Sequence, residues 1–321
     1  MILENNSSDK TLDKIKNELI DGKLETHRST VEVELIENDN NDGFAGGHNI
    51  LYKNTGSDYF LFFNQDMYLS SDCLEKMVEF LDKNKDVAAV SPRLMRWDFE
   101  KGMEGFSSKI DSLGLKVFRN RRVIEKYTGK EWDDKKSKLE LSFRTHDNAM
   151  EVFGVSGAFP MLRREAIRHV EFSDGTFFDQ LYYLYKEDVD LAYRLRIAGY
   201  QSFVLLDTVA YHDRTAEGLE KKNDKVAVEN KKKQGDVVKY HSYKNHLMTI
   251  YKNEFCQNWI LDAVFIKWYE LKKFMYFLLF DRKVLKSLGE IFKNRKELKN
   301  KRHQIKRMRK ISWRNLRKWW K

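Results

Sequence analysis

Proline and cysteine are scarce in this sequence, whose 321 residues contain two of each. The cysteines, Cys73 and Cys256, lie far apart and form no CxxC pair. This excludes a disulfide framework of the usual spacing and favours a reducing compartment. Hydrophobic residues still make up 41% of the chain and aromatic residues 13%, which is enough for a sizeable core and argues against a disordered protein.

The glycine-rich turn at residues 43–49 lacks two common nucleotide-binding patterns. It does not end in Gly-Lys-Ser/Thr, as a P-loop does, and it does not have the GxGxxG spacing of a dinucleotide site. Its glycines would still let backbone N–H groups approach a phosphate or a ribose. Taken alone, the turn is compatible with nucleotide binding but does not identify it.

Acidic residues are almost missing from the last 40 positions. Residues 282–321 contain 17 Lys and Arg, and their only acids are Glu290 and Glu297, which gives a net charge of +15. Because the whole chain carries +10, residues 1–281 carry −5. This asymmetry predicts a mildly acidic folded body and a basic appendage that meets an anionic partner.

Strand and helix patterns alternate over the first two hundred residues. Residues 30–36 (TVEVELI) alternate as a strand does, and residues 58–63 (DYFLFF) and 87–91 (VAAVS) are typical of buried strands. Helices are predicted over residues 70–83 and over residues 181–199, where a glycine ends the second one. This order predicts an α/β fold with a mostly parallel central sheet.

Polar residues follow two of the predicted strands. Asn64 and Asp66 come directly after DYFLFF, at the end of a strand, where open α/β sheets bind their ligands. Asp66 is therefore a candidate for holding a hard cation, with a plain polar turn as the alternative. His212 ends a later strand; a lone histidine is more often structural, and this one becomes a ligand candidate only if the fold brings it to Asp66.

Three carboxylates crowd the start of a predicted helix, at Glu187, Asp188 and Asp190. Such crowding is unfavourable unless a cation or a basic partner relieves it. A partly desolvated carboxylate held in this way is suited to act as a general base. The alternative is a solvated acidic face balanced by Lys186 and Arg194, but the apolar flanks LYYLY and LAYRL favour a buried edge.

Five motifs follow one another along the chain before the late histidine. They are NNSSDKT at 5–11, NDGFAGGHN at 41–49, NQD at 64–66, FGVSGAF at 153–159 and EDVDLAYR at 187–194. As a set they resemble the inverting family 2 glycosyltransferases with the GT-A fold, in particular the branch of rhamnosyl- and galactofuranosyltransferases in bacterial surface polysaccharide assembly. The resemblance covers residues 1–215 and implies a Rossmann-like GT-A domain there, followed by a C-terminal helical extension.

The resemblance also implies roles for individual residues. Asp66, with Asn64 where the family has its first acid, would bind an Mg²⁺ or Mn²⁺ that bridges the donor diphosphate, and His212 would be the late metal ligand. Asp188 would be the catalytic base that deprotonates the acceptor hydroxyl. The other implied positions are the donor-binding residues Glu4 and Asn49 and the acceptor-side or supporting residues Ser156, Gly157, Glu187, Asp190 and Arg194.

The opening MILENNSSDKT, residues 1–11, looks like the end of the family's second strand. Glu4 then stands where the family has an Asp that contacts the nucleobase. A strand and a helix that wall the base pocket in the family would precede this point and be missing from the sequence.

The predicted helical tail, residues 241–321, follows a predicted mobile linker at 216–240. Charged residues interrupt the apolar segment 255–280 well before the roughly 20 residues needed to span a bilayer. Its apolar residues nevertheless form one stripe, which favours a helix lying in the membrane interface together with the terminal tryptophans. The alternatives are packing on the catalytic body and nucleic-acid binding; the interleaved Trp and Leu favour lipid. The stripe consists of Ile260, Val264, Trp268, Leu271, Met275 and Leu278, and the tryptophans are Trp313, Trp319 and Trp320.

Together, these features predict a metal-dependent inverting glycosyltransferase, peripheral on the cytoplasmic face of the membrane. It would move a sugar from a nucleotide donor, such as dTDP-rhamnose or a UDP-sugar, to a glycan or lipid-linked acceptor in cell-surface polysaccharide synthesis. No nucleic-acid partner is expected. The alternative is a non-catalytic relic of the same fold that binds a sugar or a nucleotide and acts through membrane or partner contacts.

Overall fold

A mixed eight-stranded sheet crosses the centre of the described chain. The structure is a computed structural model and describes residues 1–19, 23–25, 30–133, 145–146, 148–213 and 235–320. In chain order, the strands are β1 (Ile2–Glu4), β2 (Lys23–Glu25), β3 (Thr30–Glu32), β4 (Leu35–Glu37), β5 (Tyr59–Leu61), β6 (Met67–Leu69), β7 (Val87–Trp97), β8 (Phe106–Ser112), β9 (Leu115–Val117), β10 (Val123–Glu125), β11 (Thr145–His146), β12 (Ala149–Glu151), β13 (Met161–Arg163) and β14 (Gln201–His212).

The long strands β7 and β14 lie side by side in the middle of this sheet and run parallel. Their other partners, β6, β8, β12 and β13, all run antiparallel to them. The predicted α/β class, with a central sheet, flanking helices and a C-terminal helical region, is confirmed. The expected excess of parallel pairs is wrong, because short connections such as residues 98–105 reverse the chain, whereas a parallel pair needs a crossover of about a dozen residues or more.

A second, separate pairing joins the N-terminal strand β1 to β4 in parallel, with Glu4 opposite Glu37. The predicted strand over residues 30–36 is split here into β3, which pairs with β2, and β4. The strand and helix expected to be missing ahead of residue 1 stay a prediction.

Helices cover both faces of the central sheet, with aromatic residues concentrated on one face. On that face, Phe60 and Phe62 of the β5 region pack with Phe177, Phe178 and Leu191. On the other face, a helix over residues 73–83 packs against the apolar side chains of β7 and β14.

In chain order, the helices are α1 (Thr11–Glu18), α2 (Gly43–Lys53), α3 (Cys73–Lys83), α4 (Arg164–Arg168), α5 (Glu187–Ile197), α6 (Asp236–Asn253), α7 (Cys256–Leu261), α8 (Ala263–Phe280), α9 (Arg282–Lys293), α10 (Arg295–Met308) and α11 (Trp313–Arg317).

The predicted helix at residues 70–83 is confirmed as α3, whereas the one predicted over residues 181–199 begins only at Glu187. Residues 180–182 form only a 3₁₀ turn, and residues 183–186 cannot continue a helix because Tyr183, Tyr185 and Lys186 have positive φ. Its end agrees with the sequence, since Gly199 has φ +90°, which favours glycine.

The C-terminal helices α6 and α10 pack against α5. The chain from residue 236 onward therefore shares a core with the body. Residues 214–234, which include most of the predicted linker, lie outside the described residues, and the last five residues of that linker belong to α6. The proposed division into domain, linker and tail stays a prediction.

Candidate active site

Asp66 and His212 meet at one edge of the central sheet. His212 is the last residue of β14, and Asp66 lies in the turn between β5 and β6. The backbone N–H of Asp213 donates to the carbonyl oxygen of Asp66 at 2.9 Å, which fixes the two segments together. As a result, His212 Nε2 lies 3.4 Å from Asp66 Oδ2. The fold thus brings His212 to Asp66, which is the condition under which His212 becomes a ligand candidate.

Asp111 of β8 completes this group from the other side of the imidazole. Its Oδ2 lies 2.9 Å from His212 Nδ1, and its side chain is 1% exposed. A carboxylate on one ring nitrogen holds the proton there and turns the other nitrogen, Nε2, toward Asp66. This carboxylate–imidazole pair is the arrangement that commonly orients a histidine ligand of a metal ion.

The Asp66–His212 pair was tested for its fit to a divalent cation. Within the described ranges there is no cluster of three or more His, Cys, Asp or Glu side chains arranged to hold a metal ion. However, Asp66 Oδ1 is buried and has no hydrogen-bond partner among the described residues. One carboxylate oxygen and one oriented imidazole fit a cation that takes its remaining ligands from a diphosphate.

Asp188 stands in the first turn of α5, where the helix dipole favours a negative charge. Its Oδ2 accepts a hydrogen bond from the N–H of Gly157 at 3.2 Å, and its Oδ1 accepts one from the N–H of Val189 at 2.7 Å. A Cβ at Gly157 would lie 3.1 Å from the Cβ of Asp188, so glycine allows this close approach. Gly154 is needed similarly, because a Cβ there would lie 2.3 Å from the Cβ of Ala192.

Ser156, the residue before Gly157, contacts a second carboxylate that the motifs did not indicate, that of Glu125. Its hydroxyl donates to Glu125 Oε1 at 3.1 Å, and Ser112 hydrogen-bonds the other oxygen of Glu125. Glu125 thereby joins the ends of β8 and β10 to the FGVSGAF segment. Ser156, Gly157 and Asp188 line the same small cavity, together with apolar side chains of α5.

A sequence model of the family described as "Glycosyl transferase family 2" matches residues 1–171, more than half of the chain. The chain belongs to this family. The match includes Asp66 and Ser156 but ends before Asp188 and His212, so the roles of the last two residues rest on the motif order and on the geometry described above.

Two solved glycosyltransferase structures match this family 2 chain, and the first of them supports the fold. GalNAc-T7, in its crystal structure with UDP, GalNAc and Mn²⁺, superimposes with a TM-score of 0.50 at 11% sequence identity, covering 78% of this chain and 41% of that one. The mannosyltransferase PcManGT from Pyrobaculum calidifontis, in complex with GDP-Man and Mn²⁺, has a TM-score of 0.43 at 13% identity, covering 90% of this chain and 63% of that one. This chain thus spans less than two thirds of either protein. No curated protein sequence matches it.

Glu187, next to the predicted base of this family 2 chain, is buried. Burial, followed by the neighbouring charge of Asp188, raises the pKa of Glu187 to about 8. Glu187 Oε2 has no hydrogen-bond partner among the described residues. Burial also lowers the pKa of Lys186, although the Asp188 and Glu125 carboxylates oppose that shift. The sequence predicted that a cation or a basic partner relieves the crowded carboxylates, and the raised pKa of Glu187 disfavours its charged form, which also lessens the crowding.

Asp190 and Arg194, predicted to support the base, both lie on the buried side of α5. They form a fully buried ion pair of 3.0 Å. The pair belongs to a larger buried group that extends into the C-terminal helices. Lys252 of α6 lies 3.0 Å from Asp190 and also contacts Asp179, and Lys301 of α10 lies 2.6 Å from Asp179. Burial alone would raise the pKa of Asp179, but Lys252 and Lys301 lower it to about 2. We call these five residues the buried ion cluster.

The three remaining donor-side residues are Glu4, Asn49 and Asn64, and the contacts of Glu4 and Asn49 are made elsewhere than at the Asp66–His212 pair. The carboxylate of Glu4 accepts from the N–H groups of Ser7 and Asn6, and these hydrogen bonds, led by Ser7, lower its pKa. The amide of Asn49 is used up by the backbone of Phe177 and Phe178, at 2.9 to 3.1 Å. This geometry gives Asn49 a role in the core. Asn64 is half-buried in the turn that holds Asp66.

Proposed function

We propose that this family 2 chain transfers a sugar from a nucleotide-sugar donor to a hydroxyl of a glycan or lipid-linked acceptor, with inversion at the anomeric carbon. The observation that carries the proposal is the meeting of Asp66 and His212, which come from distant parts of the sequence, at a distance of 3.4 Å. The donors that we expect are dTDP-rhamnose or a UDP-sugar, in the synthesis of a cell-surface polysaccharide. The resemblance to the rhamnosyl- and galactofuranosyltransferase branch supports that choice.

Different residues of the chain have different roles in this reaction. Asp66 and His212 would hold Mg²⁺ or Mn²⁺, which when bound offsets the charge that develops on the leaving nucleoside diphosphate. Asp188 takes the proton of the acceptor hydroxyl, whose oxygen bonds to the anomeric carbon as the bond from that carbon to the diphosphate oxygen breaks. Because this is a single displacement, the configuration inverts. The Gly157 N–H keeps the Asp188 carboxylate turned toward the cavity.

Metal-dependent donor binding provides the test. A thermal-shift screen of dTDP- and UDP-sugars is expected to show stabilisation with Mn²⁺ or Mg²⁺ and little without, and a donor at about 100 times its Kd adds about 2.7 kcal/mol. Asp66→Asn should abolish this gain because it removes a ligand. Asp207→Asn is the matched control, since Asp207 is 42% exposed, Asp66 is 37% exposed, and Asp207 pairs with Lys76 instead.

Two results would contradict the proposal. One is stabilisation by donors that is unchanged in Asp66→Asn. The other is donor binding without any turnover over a broad set of acceptors, which would favour the non-catalytic relic.

A second proposal concerns where the protein works. One face of α7 and α8 carries large apolar side chains that are open to solvent, and the contiguous area is of the kind that marks an interaction surface. Every stripe residue except Leu278, which is half-buried, is more than 40% exposed. We call this surface the α8 apolar face; its exposed members are Ile260, Val264, Phe265, Trp268, Leu271, Met275 and Leu279.

The charges around the α8 apolar face are basic. The two acids of the segment 259–280, Asp262 and Glu270, point inward, where Asp262 pairs with arginines and Glu270 with His246 and Lys273. Lys267 and Lys272 remain on the exposed side. An apolar stripe with basic side chains beside it is complementary to an anionic bilayer surface. Among the described residues, no helix is long and apolar enough to cross a bilayer.

The terminal tryptophans have a different role from the one expected. Trp319 and Trp320 pack against Phe153, and the guanidinium groups of Arg196 and Arg121 lie over their rings at 4.2 and 4.6 Å. Trp320 is only 8% exposed. The chain after α10 therefore folds back onto the body, where Trp320 is buried and Trp313 and Trp319 are partly buried, so that their expected place in the membrane interface is not supported.

We therefore infer that the protein binds the anionic inner face of the cell membrane through the α8 apolar face. Leu271→Glu is expected to weaken co-sedimentation with vesicles of phosphatidylcholine and phosphatidylglycerol about tenfold or more, because it loses apolar burial and adds a repelled charge. Leu74→Glu is the matched control, since Leu74 is 43% and Leu271 51% exposed, both on helices. Equal loss in both variants, self-association through this face, or preference for duplex DNA at matched salt would contradict the proposal.

A further inference from the structure

The five residues that precede α5, the helix that carries the proposed base Asp188, form a strained loop. Tyr183, at φ +61° and ψ −63°, is the centre of a γ-turn that the Leu184 N–H closes onto the Tyr182 carbonyl at 2.7 Å. Tyr185 and Lys186 follow with φ of +68° and +71°. Non-glycine residues adopt such angles only where the surroundings enforce them, and strain of this kind concentrates at functional sites. We call residues 182–186 the base loop.

One side chain of the C-terminal helix α6 accounts for most of that enforcement. The amide nitrogen of Asn245 lies 2.9 Å from the carbonyl oxygen of Tyr182, 2.9 Å from that of Leu184 and 2.7 Å from that of Tyr185. Asn245 is fully buried. Three backbone carbonyls thus converge on a single donor group. Without it the carbonyls of Leu184 and Tyr185 would lose this hydrogen bond, whereas that of Tyr182 would keep the Leu184 N–H.

Further contacts hold the base loop on both sides. The preceding residue of α6, Lys244, donates to the carbonyl of Leu181 at 2.7 Å. From the opposite side, the Ala45 N–H of α2 donates to the carbonyl of Tyr183 at 3.0 Å. The carbonyls of Leu181, Tyr182, Tyr183, Leu184 and Tyr185 are all taken up in this way. The loop cannot relax to ordinary angles without breaking several of these bonds.

The start of α5 depends on where the base loop ends. Lys186 is its N-cap, and the Asp190 N–H bonds to the Lys186 carbonyl at 3.0 Å, so the first helical turn, which includes Asp188, is built on the last residue of the loop. A shift of that residue would carry Asp188 away from the Gly157 N–H. Reacting groups must be placed to within a fraction of an ångström for efficient proton transfer.

We propose that Asn245 is a positioning residue for Asp188, which it places by holding the base loop in its strained form. The proposal rests on the role of Asp188 as the base under the proposed function. It makes α6, which lies beyond the part matched by the family model, a component of the catalytic centre. The C-terminal helices then have two roles under these proposals. Helix α6 places the base, and the α8 apolar face holds the protein at the membrane.

The test compares Asn245→Ala and Asn245→Asp with Asn258→Ala in the full chain. Asp has nearly the same shape as Asn, but when ionised it presents only acceptors to the three carbonyls. Asn258 is the matched control because it is also fully buried and also donates to a backbone carbonyl, that of Trp313, away from the base loop. Hydrogen–deuterium exchange over residues 180–190 reports the loop directly, and donor kinetics report its consequence.

Both Asn245 variants are expected to exchange about tenfold or more faster over residues 180–190 than the wild type, as expected when buried hydrogen bonds are lost. The kcat should fall by about tenfold or more with the KM for the donor within about twofold, because the Asp66–His212 pair is untouched. Asn258→Ala should change neither quantity, even where it lowers the melting temperature equally. This separates positioning from general destabilisation.

The proposal is overturned if exchange over residues 180–190 is unchanged in Asn245→Ala, or if it rises only as much as in the rest of the chain. Faster exchange with an undiminished kcat would overturn it as well. If the wild type turns over no nucleotide sugar, the proposed function fails, and with it the catalytic consequence; the exchange experiment then still decides whether Asn245 holds the loop. The two failures are therefore distinguishable.

Discussion

Asp188→Asn is expected to lower the rate of sugar transfer about 10²- to 10⁴-fold, the range that a positioned general base contributes. Asparagine can keep the hydrogen bond from the Gly157 N–H, so the fold and the first turn of α5 should persist. It cannot take the proton of the acceptor hydroxyl, so the loss should fall on kcat. The measurement is the release of nucleoside diphosphate from the donor identified in the thermal-shift screen, with acceptor present.

The control for this variant is Asp236→Asn, because Asp236 also lies in the first turn of a helix, α6, but its side chain is 61% exposed. It should transfer sugar at the wild-type rate. Donor stabilisation with Mn²⁺ should be the same in all three proteins, since Asp66 and His212 are intact. A wild-type rate in Asp188→Asn would remove Asp188 from the role of base.

Lys252→Met is expected to reduce the free energy of unfolding by about 3–5 kcal/mol, because removing one member of a buried charge pair leaves its partners uncompensated. Lys252 is fully buried between Asp179 and Asp190, and methionine fills a similar volume without the charge. The melting temperature should fall on the order of 10 °C. Denaturant unfolding monitored by tryptophan fluorescence and by circular dichroism would measure the change.

Lys283→Met serves as the control for that prediction. Lys283 is 81% exposed and lies 3.8 Å from Asp236, and exposed pairs of this kind contribute roughly 1 kcal/mol or less. If both variants lose the same small amount of stability, the buried ion cluster does not join α6 and α10 to α5. A separate early transition for the C-terminal helices in the wild type would lead to the same conclusion.

Several elements of the site were predictable because their signals are local. Asp66 follows a buried strand, and Asp188 stands at a helix start among other carboxylates, so residue type and neighbours were sufficient to select them. The motif order added the family, which the family model confirms. His212 is a conditional candidate, and the antiparallel pairing of β6 with β14, which places His212 opposite Met67, satisfies that condition.

Other elements lacked any local signal. Asp111 and Glu125 lie in the excursion between β7 and β12, where nothing in the surrounding sequence indicates that one reaches His212 and the other Ser156. Asn49 shows the opposite case: it stands in a glycine-rich motif, yet its amide is used by Phe177 and Phe178 in the core. A motif specifies residue type and spacing, and only the packed chain determines which atoms remain available.

The sequence by itself determined the α/β class, the family, the residue types of the chemical step and the apolar stripe of α8, because each of these is a pattern of near neighbours or an order of motifs. Only the tertiary structure decided that the strands pair mostly antiparallel, that the terminal tryptophans pack against the body, and that α6 reaches back to the base loop. Those facts depend on contacts such as Asn245 with Leu184 and Lys252 with Asp179, between residues that are far apart in the chain. Such contacts form when the whole core closes and buried polar groups must find partners, and this requirement acts on the fold as a unit.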